Sequence, residues 1–501
     1  MMKTFFCLVL ATGLAAGETL ERISEIRLPK GSGEIVAVDG KRKLLVTTSH
    51  GWRARGLEFV DLSDLSRPKH LGHVSLKRVL AGGIEGVSSV AIDPAGRGFA
   101  VAAIIPKNPT GVRGAIAVVN LESREVVATV GAGFHPDCVV FSPDGRYLAV
   151  ACEGEWQDGK RNTPGSMTVY ETSRTSDFLA LRPVDVPLTS GRGMRLLHGQ
   201  VNDLEPEYIT IQGRRAYVTL QENNGLGIFD LKKRRWVGQR SFGSWPVRMD
   251  ISDRDGPWGK RKINPGQLVE ALPMPDTLSS FRWRGRTYLA TANEGDKAGF
   301  VRVKHLGKRS PGLDPAYRLA LKKKFGVDPQ HDAALGRLQV SPIDGDLDGD
   351  GDIDRLTALG TRSFSIWDAA SGKRVYDSGS FFAEMGKGDP ATFNVNNGRA
   401  AEWDTRSDNR GAEPEAISTA IVGGRPLLLT ATERQNGVYL FDCSMPSRPR
   451  LLSALNELRS GHSSPESALI LPSAKSPTGR ALFVIGWEGS NSVTFYSLHG
   501  S

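Results

Sequence analysis

Short apolar runs rich in Val, Ile, Leu and aromatic residues recur along the whole chain, separated by clusters of Gly, Pro, Asp and Asn. In PDCVVFSPDGRYLAVACE (136–153) two such runs flank Pro143, Asp144 and Gly145, which predicts a β-hairpin. A third run follows each hairpin and often ends in an aspartate-containing turn: GLEFVDLSD (56–64), GAIAVVNLES (114–123), GSMTVYETS (165–173), LGIFDLKK (226–233), SFSIWDAASG (363–372), GVYLFDCS (437–444) and SVTFYSLH (492–499). Several are followed by a fourth, as in REVVATVG and RWVGQRSFG. A unit of so few strands cannot bury both of its faces alone, whereas radial stacking buries them, so the repeat predicts an all-β, seven-bladed β-propeller. A pair of β-sandwiches would not explain the same order of elements in every unit.

The last unit stops at its third strand, while TLERISEIRLP (19–29) precedes the first unit as an orphan strand. Pairing the two closes the ring and hides two edges. One unit is interrupted by an insertion at about 297–362, with a helix from Pro315 to Phe325 capped by Asp314 and stopped by Gly326. Lys322, Lys323 and Lys324 at its end read as a solvated turn that offsets the helix dipole. A polar stretch at about 381–412 holds few apolar residues and needs something besides a core to order it.

The N-terminus, MMKTFFCLVLATGLAAGE, places Lys3 before an apolar stretch and small residues Ala15 and Gly17 before Glu18. Residues 1–17 read as a cleaved signal peptide, leaving a single propeller domain over 18–501 in the periplasm or outside the cell. No second apolar run reaches the roughly 20 residues that span a bilayer, so no transmembrane anchor is expected. Cys138, Cys152 and Cys443 remain after the leader. Cys138 and Cys152 face each other across one predicted hairpin and could bond, although a buried thiol is the commoner role. With 39% hydrophobic residues, 57 Gly and 28 Pro, the composition is that of a turn-rich globular chain. The formal charge of +9 is scattered, and without a basic stripe or motif nucleic-acid binding is not expected. A monomer is.

Five times a proline followed by an acid opens an apolar run, and a glutamate closes the next one: Asp137 with Glu153, Glu207 with Glu222, Asp276 with Glu294, Glu415 with Glu433, and Glu466 with Glu488. A hairpin returns to where it began, so both acids of a pair sit at its open end. In a propeller the ten carboxylates converge on one mouth of the channel, where they would have raised pKa values or hold cations. His135, Arg362 and Arg406 occupy loops at the same phase and are candidate anion contacts.

DGDLDGDGDID (344–354) is the strongest single motif. With Asp346 as position one, Asp348, Asp350, Gly351, Asp352 and Asp354 fall at three, five, six, seven and nine of an EF-hand-type loop, while Thr357 stands where the bidentate glutamate belongs. Calcium is therefore the expected cofactor, held by Asp344, Asp346, Asp348, Asp350, Asp352 and Asp354 without the helix-loop-helix fold. G-x-S-x-G, G-x-G-x-x-G and H-E-x-x-H are all absent, so any catalysis would be metal-dependent.

The ordered segments HPDCVVFSPDGRYLAVACEGE, LEPEYITIQGRRAYVTLQENNGLGIFDL, DISDRDG (250–256), MPDTLSSFRWRGRTYLATANEGD, DGDLDGDGDIDRL, RSFSIWDAASGKRVYDSG, RSDNRGAEPEAI and SPTGRALFVIGWEGSNSVTFYSL resemble the choice-of-anchor I family, whose animal relative is a mesenchyme-specific cell-surface glycoprotein. The resemblance covers nearly the whole chain after the leader. It implies an extracytoplasmic propeller with no settled activity, often tethered by one of several C-terminal anchors; because this sequence ends at the last blade, tethering is not expected from it. Similarity of some relatives to proteins labelled alkaline phosphatase or phytase-like adds an alternative. Two functions follow as expectations: a calcium-stabilised propeller that binds a small ligand or a cell-surface component, or a metal-dependent phosphoesterase using Arg362 or Arg406 against developing charge.

Overall fold

The computed structural model describes residues 17–51, 55–154, 163–174, 177–297, 299–308 and 310–500. Apart from Gly17, the expected leader lies outside them. The strands form eight sheets, seven of four strands and one of five. All seven expected third strands are present, from Gly56–Asp61 to Ser492–His499.

The four-stranded sheets open with Ser32–Asp39, Ile84–Ile92, Pro136–Phe141, Ile209–Gln212, Leu278–Trp283, Pro414–Val422 and Pro465–Leu471. Each of these strands lies beside the next in that order, and Pro465–Leu471 also lies beside Ser32–Asp39. Thr19–Arg27 pairs antiparallel with Ser492–His499, so the sheet opened by Pro465–Leu471 takes its fourth strand from the N-terminal region. Successive antiparallel sheets packed around a shared set of inner strands define a β-propeller architecture.

The core lies between consecutive sheets. Second strands such as Leu44–Ser49 are buried along their whole length, because each of their faces meets a neighbouring sheet. Cys138, Ala149, Ala151, Met167 and Val169 of one sheet pack on Ile209, Ile211, Ala216, Val218 and Phe229 of the next. Phe483, Trp487, Phe495 and Tyr496 are fully buried in the last, each large side chain contributing about 1.5–3 kcal/mol. Cys138, Cys152 and Cys443 are all free and buried. Burial pushes the Cys138 and Cys152 thiols up to about 12.

The interruption is larger than its sequence signal. A five-stranded sheet joins Trp245–Met249 and Gln267–Leu272 to Thr357–Leu359, Gln339–Val340 and Val301–Arg302. Gln267–Leu272 runs parallel to Thr357–Leu359, a pairing across nearly ninety residues that no local periodicity announces. The helix Pro315–Phe325 is as expected: Asp314 accepts from Tyr317 N–H at 2.6 Å, and Gly326 closes the end at φ 74°. The 381–412 stretch is not without a core of its own. It begins with the helix Phe381–Gly386 and buries Phe382, Phe393 and Val395 completely.

Candidate functional site

Backbone geometry explains why the acids point as they do. At Asp137, Glu415 and Glu466 the ladder register slips, between Pro136 and Val139, Pro414 and Ile417, and Pro465 and Ser467. Bulges of this kind re-aim a side chain out of the strict alternation of a strand. Two residues before four of the acids, His135, Met274, Glu413 and Ser464 take positive φ of 47°, 44°, 49° and 52°. Non-glycine residues held there carry local strain of about 1–3 kcal/mol, and such strain concentrates at functional sites.

The carboxylates lie in one another's electrostatic field. Asp137 feels Glu153, Asp276 and Glu34; Glu207 feels Glu222, Asp276 and Glu153; Glu466 feels Glu433, Glu488, Glu34 and Asp276. Glu207, Glu294, Glu415 and Glu433 are buried, whereas Asp137, Asp276 and Glu466 keep a partly open surface that is still enclosed by protein. Burial first, then the neighbouring acids, pushes Asp137, Glu207, Glu222, Glu415 and Glu466 well above the carboxylate range. Burial also raises Glu294, although Arg410 opposes it. Asp276 is raised to about 6 by burial, moderated by a hydrogen bond with Glu415.

Asp276, Glu294 and Glu415 each bring a carboxylate oxygen within 4.8 Å of the others, as do Glu294, Glu413 and Glu433. Two ionised carboxylates at that separation repel by about 3.5 kcal/mol at an effective dielectric constant of about 20. Glu207 Oε2, Glu222 Oε2 and Glu415 Oε2 are buried without a hydrogen-bond partner. These are hard oxygen donors with unused lone pairs, the chemistry that suits calcium or magnesium.

Glu413 and Arg410 belong to this site and escaped the sequence reading. Glu413 is fully buried and receives Arg406 Nε at 2.8 Å, Arg434 Nε at 2.9 Å and Arg410 Nη2 at 3.0 Å. Burial alone would raise its carboxyl, but Arg410, Arg434 and Arg406 outweigh it and hold the group at about 2. Arg410 also bonds Glu294. Glu433 meets Arg434 Nη1 at 2.7 Å, yet burial and then Glu413 keep it at about 8. The missed signal lies ahead of the proline: Glu413-Pro414-Glu415 and Glu205-Pro206-Glu207 carry an acid on both sides.

Glu34 and His50 were missed for a different reason. They occupy the same phase in the first sheet, but Gly33 replaces the proline and a histidine replaces the closing glutamate. His50 Nδ1 lies 2.7 Å from Glu34 and its Nε2 3.1 Å from Glu488. Hydrogen bonds to Glu34 and then Glu488 raise the imidazole to about 10, and the bond to His50 lowers Glu488.

The expected anion contacts are committed elsewhere. Arg362 is buried and donates to the backbone carbonyls of Asp250, Ser407 and Asn409 at 2.5–2.9 Å; Arg406 grips Glu413; His135 Nδ1 pairs with Glu153 at 2.9 Å. In the 344–354 loop only Asp346, Asp348 and Asp354 converge within 4.8 Å. Asp344 departs from the expected ligand set, because its Oδ2 accepts from Arg195 Nε at 2.7 Å and from Ser341 Oγ. Asp350 Oδ1 accepts from Asp352 N–H at 3.1 Å, and Asp352 has one buried oxygen without a partner.

Fold and site together define a β-propeller with an acid-lined group of inner strand ends. The chain belongs to the choice-of-anchor I domain family, whose profile matches residues 34–446, and with it to surface or extracytoplasmic proteins. Gigasin-3a of Magallana gigas is 30% identical over 191 residues, covering 34% of this chain and 67% of that protein. Among solved structures, the Cps50 (Swd1) β-propeller domain of Myceliophteria thermophila aligns with TM-score 0.46 and 10% identity over 95% of this chain and 99% of that one. Hydrazine synthase of Kuenenia stuttgartiensis aligns with TM-score 0.47 and 13% identity over 94% and 96%. No helix among the described residues is long and apolar enough to cross a membrane.

Proposed function

We propose that this chain is an exported, seven-bladed propeller, secreted or periplasmic, that uses a divalent cation at its acid-lined mouth to bind a small ligand or a cell-surface component. The blades are the seven four-stranded sheets, the ring closes through Thr19–Arg27, and the five-stranded sheet is an insertion. The neighbouring of Pro465–Leu471 and Ser32–Asp39 supports that closure.

One observation carries the functional reading: Asp276, Glu294 and Glu415 can share one ion, and Glu415 holds a buried oxygen with no partner. Burying ionised acids this close is costly unless a cation compensates. Calcium is the preferred ion because the donors are all oxygen and the arrangement is irregular, which calcium tolerates better than magnesium. A second calcium belongs to Asp346, Asp348 and Asp354. Metal-free protein should melt at a higher temperature when calcium is added, by mass action, and Glu415→Gln should lose part of that gain. A melting temperature indifferent to calcium, with no metal in elemental analysis, would sink the proposal.

The alternative, a metal-dependent phosphoesterase, finds less support. Arg362 and Arg406, the groups to meet a phosphate, are spent on backbone carbonyls and on Glu413. Aryl phosphates and phytate should not be turned over in calcium, and turnover lost in Glu415→Gln would reverse this ranking.

A further inference from the structure

The end of the molecule opposite the acids carries the opposite charge. In the sheets opened by Ile209–Gln212 and Leu278–Trp283, Glu207 and Asp276 precede the first strand, and Glu222 and Glu294 follow the second. Antiparallel pairing therefore puts the turns within 212–215, 230–235, 283–286 and 368–374 at the far end of both sheets. These four stretches hold ten Lys or Arg, all exposed, against two acids. In the sheet opened by Ile84–Ile92 the equivalent turns, 93–98 and 121–125, hold two bases and three acids. The fold thus gathers on two neighbouring sheets a charge that is dispersed in the sequence. Both acids are committed to their own turns: Asp230 accepts from Lys233 N–H at 2.9 Å, and Asp368 from the N–H and hydroxyl of Ser371 at 2.8 and 2.9 Å. Arg234 reaches Glu171 at 2.9 Å, but Arg214 and Arg286 come no nearer to Asp230 and Asp368 than 3.5 and 3.9 Å.

Between the two sheets these turns frame a cleft of about 660 Å³, whose walls include Arg215, Arg286, Lys373, Thr287, Ser371 and Asp368. That is the size of a site for an organic ligand rather than a single ion. Arg240, on the outer strand Arg235–Ser241, donates to the carbonyls of Ala369 and Ala370 at 3.3 and 2.8 Å and so fixes the 368–374 turn against the neighbouring sheet. Tyr217 also lines the cleft. It is only 4% exposed and packs with Ile228, Leu289 and Trp367, yet its hydroxyl has no hydrogen-bond partner among the described residues. A buried phenol ordinarily finds one, so this hydroxyl is available to whatever enters the cleft.

We propose that this cleft binds an acidic polysaccharide, with carboxylate or sulfate groups on Arg215, Arg286 and Lys373 and a sugar hydroxyl on Tyr217. Exposed cations continue beyond the cleft on both sides, at Arg214, Lys232 and Lys233 on one sheet and Arg284 on the other. A single small anion would use only some of them, whereas a chain that carries a charge on repeated units uses the whole track. No exposed large apolar side chain lies in the four stretches, so nothing there is built to enter a bilayer. The aromatic ring in them, Trp283, is half-buried, donates to the Ser444 carbonyl at 3.0 Å and lies under Arg284, which leaves no free face on which a nucleic-acid base could stack.

The test is calorimetric titration of the full chain with hyaluronate and with dextran sulfate, neutral dextran serving as the blank. The unaltered protein should bind at least one of the two polyanions, more weakly as salt rises, and should ignore dextran. Arg215→Gln/Lys373→Gln, at two exposed positions, should weaken binding by about tenfold or more. Tyr217→Phe keeps the packing and should weaken it by roughly two- to tenfold with the same salt dependence, because it removes a neutral hydrogen bond. Lys41→Gln/Lys69→Gln removes the same charge from exposed positions of the first sheet and should leave binding unchanged. Failure to bind either polyanion, or equal losses in the cleft and first-sheet variants, would overturn the proposal. Phosphatidylserine vesicles or oligo(dT) bound as tightly, and lost in Arg215→Gln/Lys373→Gln, would overturn the choice of a polysaccharide.

Discussion

Glu413→Gln is the most informative single substitution, because one fully buried carboxylate holds Arg406, Arg410 and Arg434. Removing its charge while keeping its volume leaves buried guanidinium groups short of a counter-ion, which costs about 3–5 kcal/mol. The structure argues for the lower end. Glu433 already touches Arg434, and it stays protonated up to about 8 through burial and then the charge of Glu413. With that charge gone, Glu433 ionises and takes over part of the load. At ~2.1 cal/mol/K per residue over about 480 residues the unfolding entropy is ~1 kcal/mol/K, so the melting temperature should fall by about 3 °C in metal-free buffer at neutral pH. Calorimetry on Glu413→Gln and on Glu413→Gln/Glu433→Gln reads both parts of the argument: the double variant should fall further than the single one. Glu384→Gln, on the exposed face of the 381–386 helix, should leave the melting temperature unchanged. A Glu413→Gln protein as stable as the unaltered chain would refute the idea that this acid organises the three arginines.

Metal-free protein should lose stability as pH rises from 5 to 8. Asp276 at about 6 and Glu433 at about 8 lie above their unfolded values, so their contribution is complete below about pH 4 and is lost as pH passes the folded values. His50, held at about 10 by Glu34 and then Glu488, acts in the same direction, its contribution fading between its unfolded value and about 10. Saturating calcium should flatten or reverse the fall, because it takes the deprotonated ligands; a melting temperature that rises with pH without metal would contradict the assignment. In the 344–354 loop, Asp346→Ala should weaken calcium binding about tenfold or more, whereas Asp344→Ala should leave affinity unchanged and lower stability through Arg195, by roughly 1–3 kcal/mol. Calorimetric titration and thermal melts separate the two, and equal loss of calcium affinity would put Asp344 back among the ligands.

Much of the fold was legible because short apolar runs and Asp- or Gly-bearing turns are local signals. Thus all seven edge-ward strands, the helix Pro315–Phe325 and its two caps stand where the residues place them. The five-stranded sheet was not legible, since Gln267–Leu272 finds its parallel partner only after the intervening chain has folded. At the site, the x-Pro-acid repeat marked residues that the structure brings into a common field. It could not show that Glu413, one residue before Pro414, binds the arginines, nor that Arg362 turns to backbone carbonyls, because guanidinium direction is a tertiary property. Asp344 illustrates the same limit in the calcium loop: spacing made it a ligand, and Arg195, nearly 150 residues earlier in sequence, claims it.

The cation at the acid-lined mouth is tested most directly by a crystal structure of the protein in saturating calcium, with anomalous data collected to locate the ion. The account predicts a calcium peak at about 2.3–2.6 Å from carboxylate oxygens of Asp276, Glu294 and Glu415, absent from crystals of Glu415→Gln. A map with calcium only in the 344–354 loop, and with Glu415 sharing a proton with Asp276 instead, would contradict it.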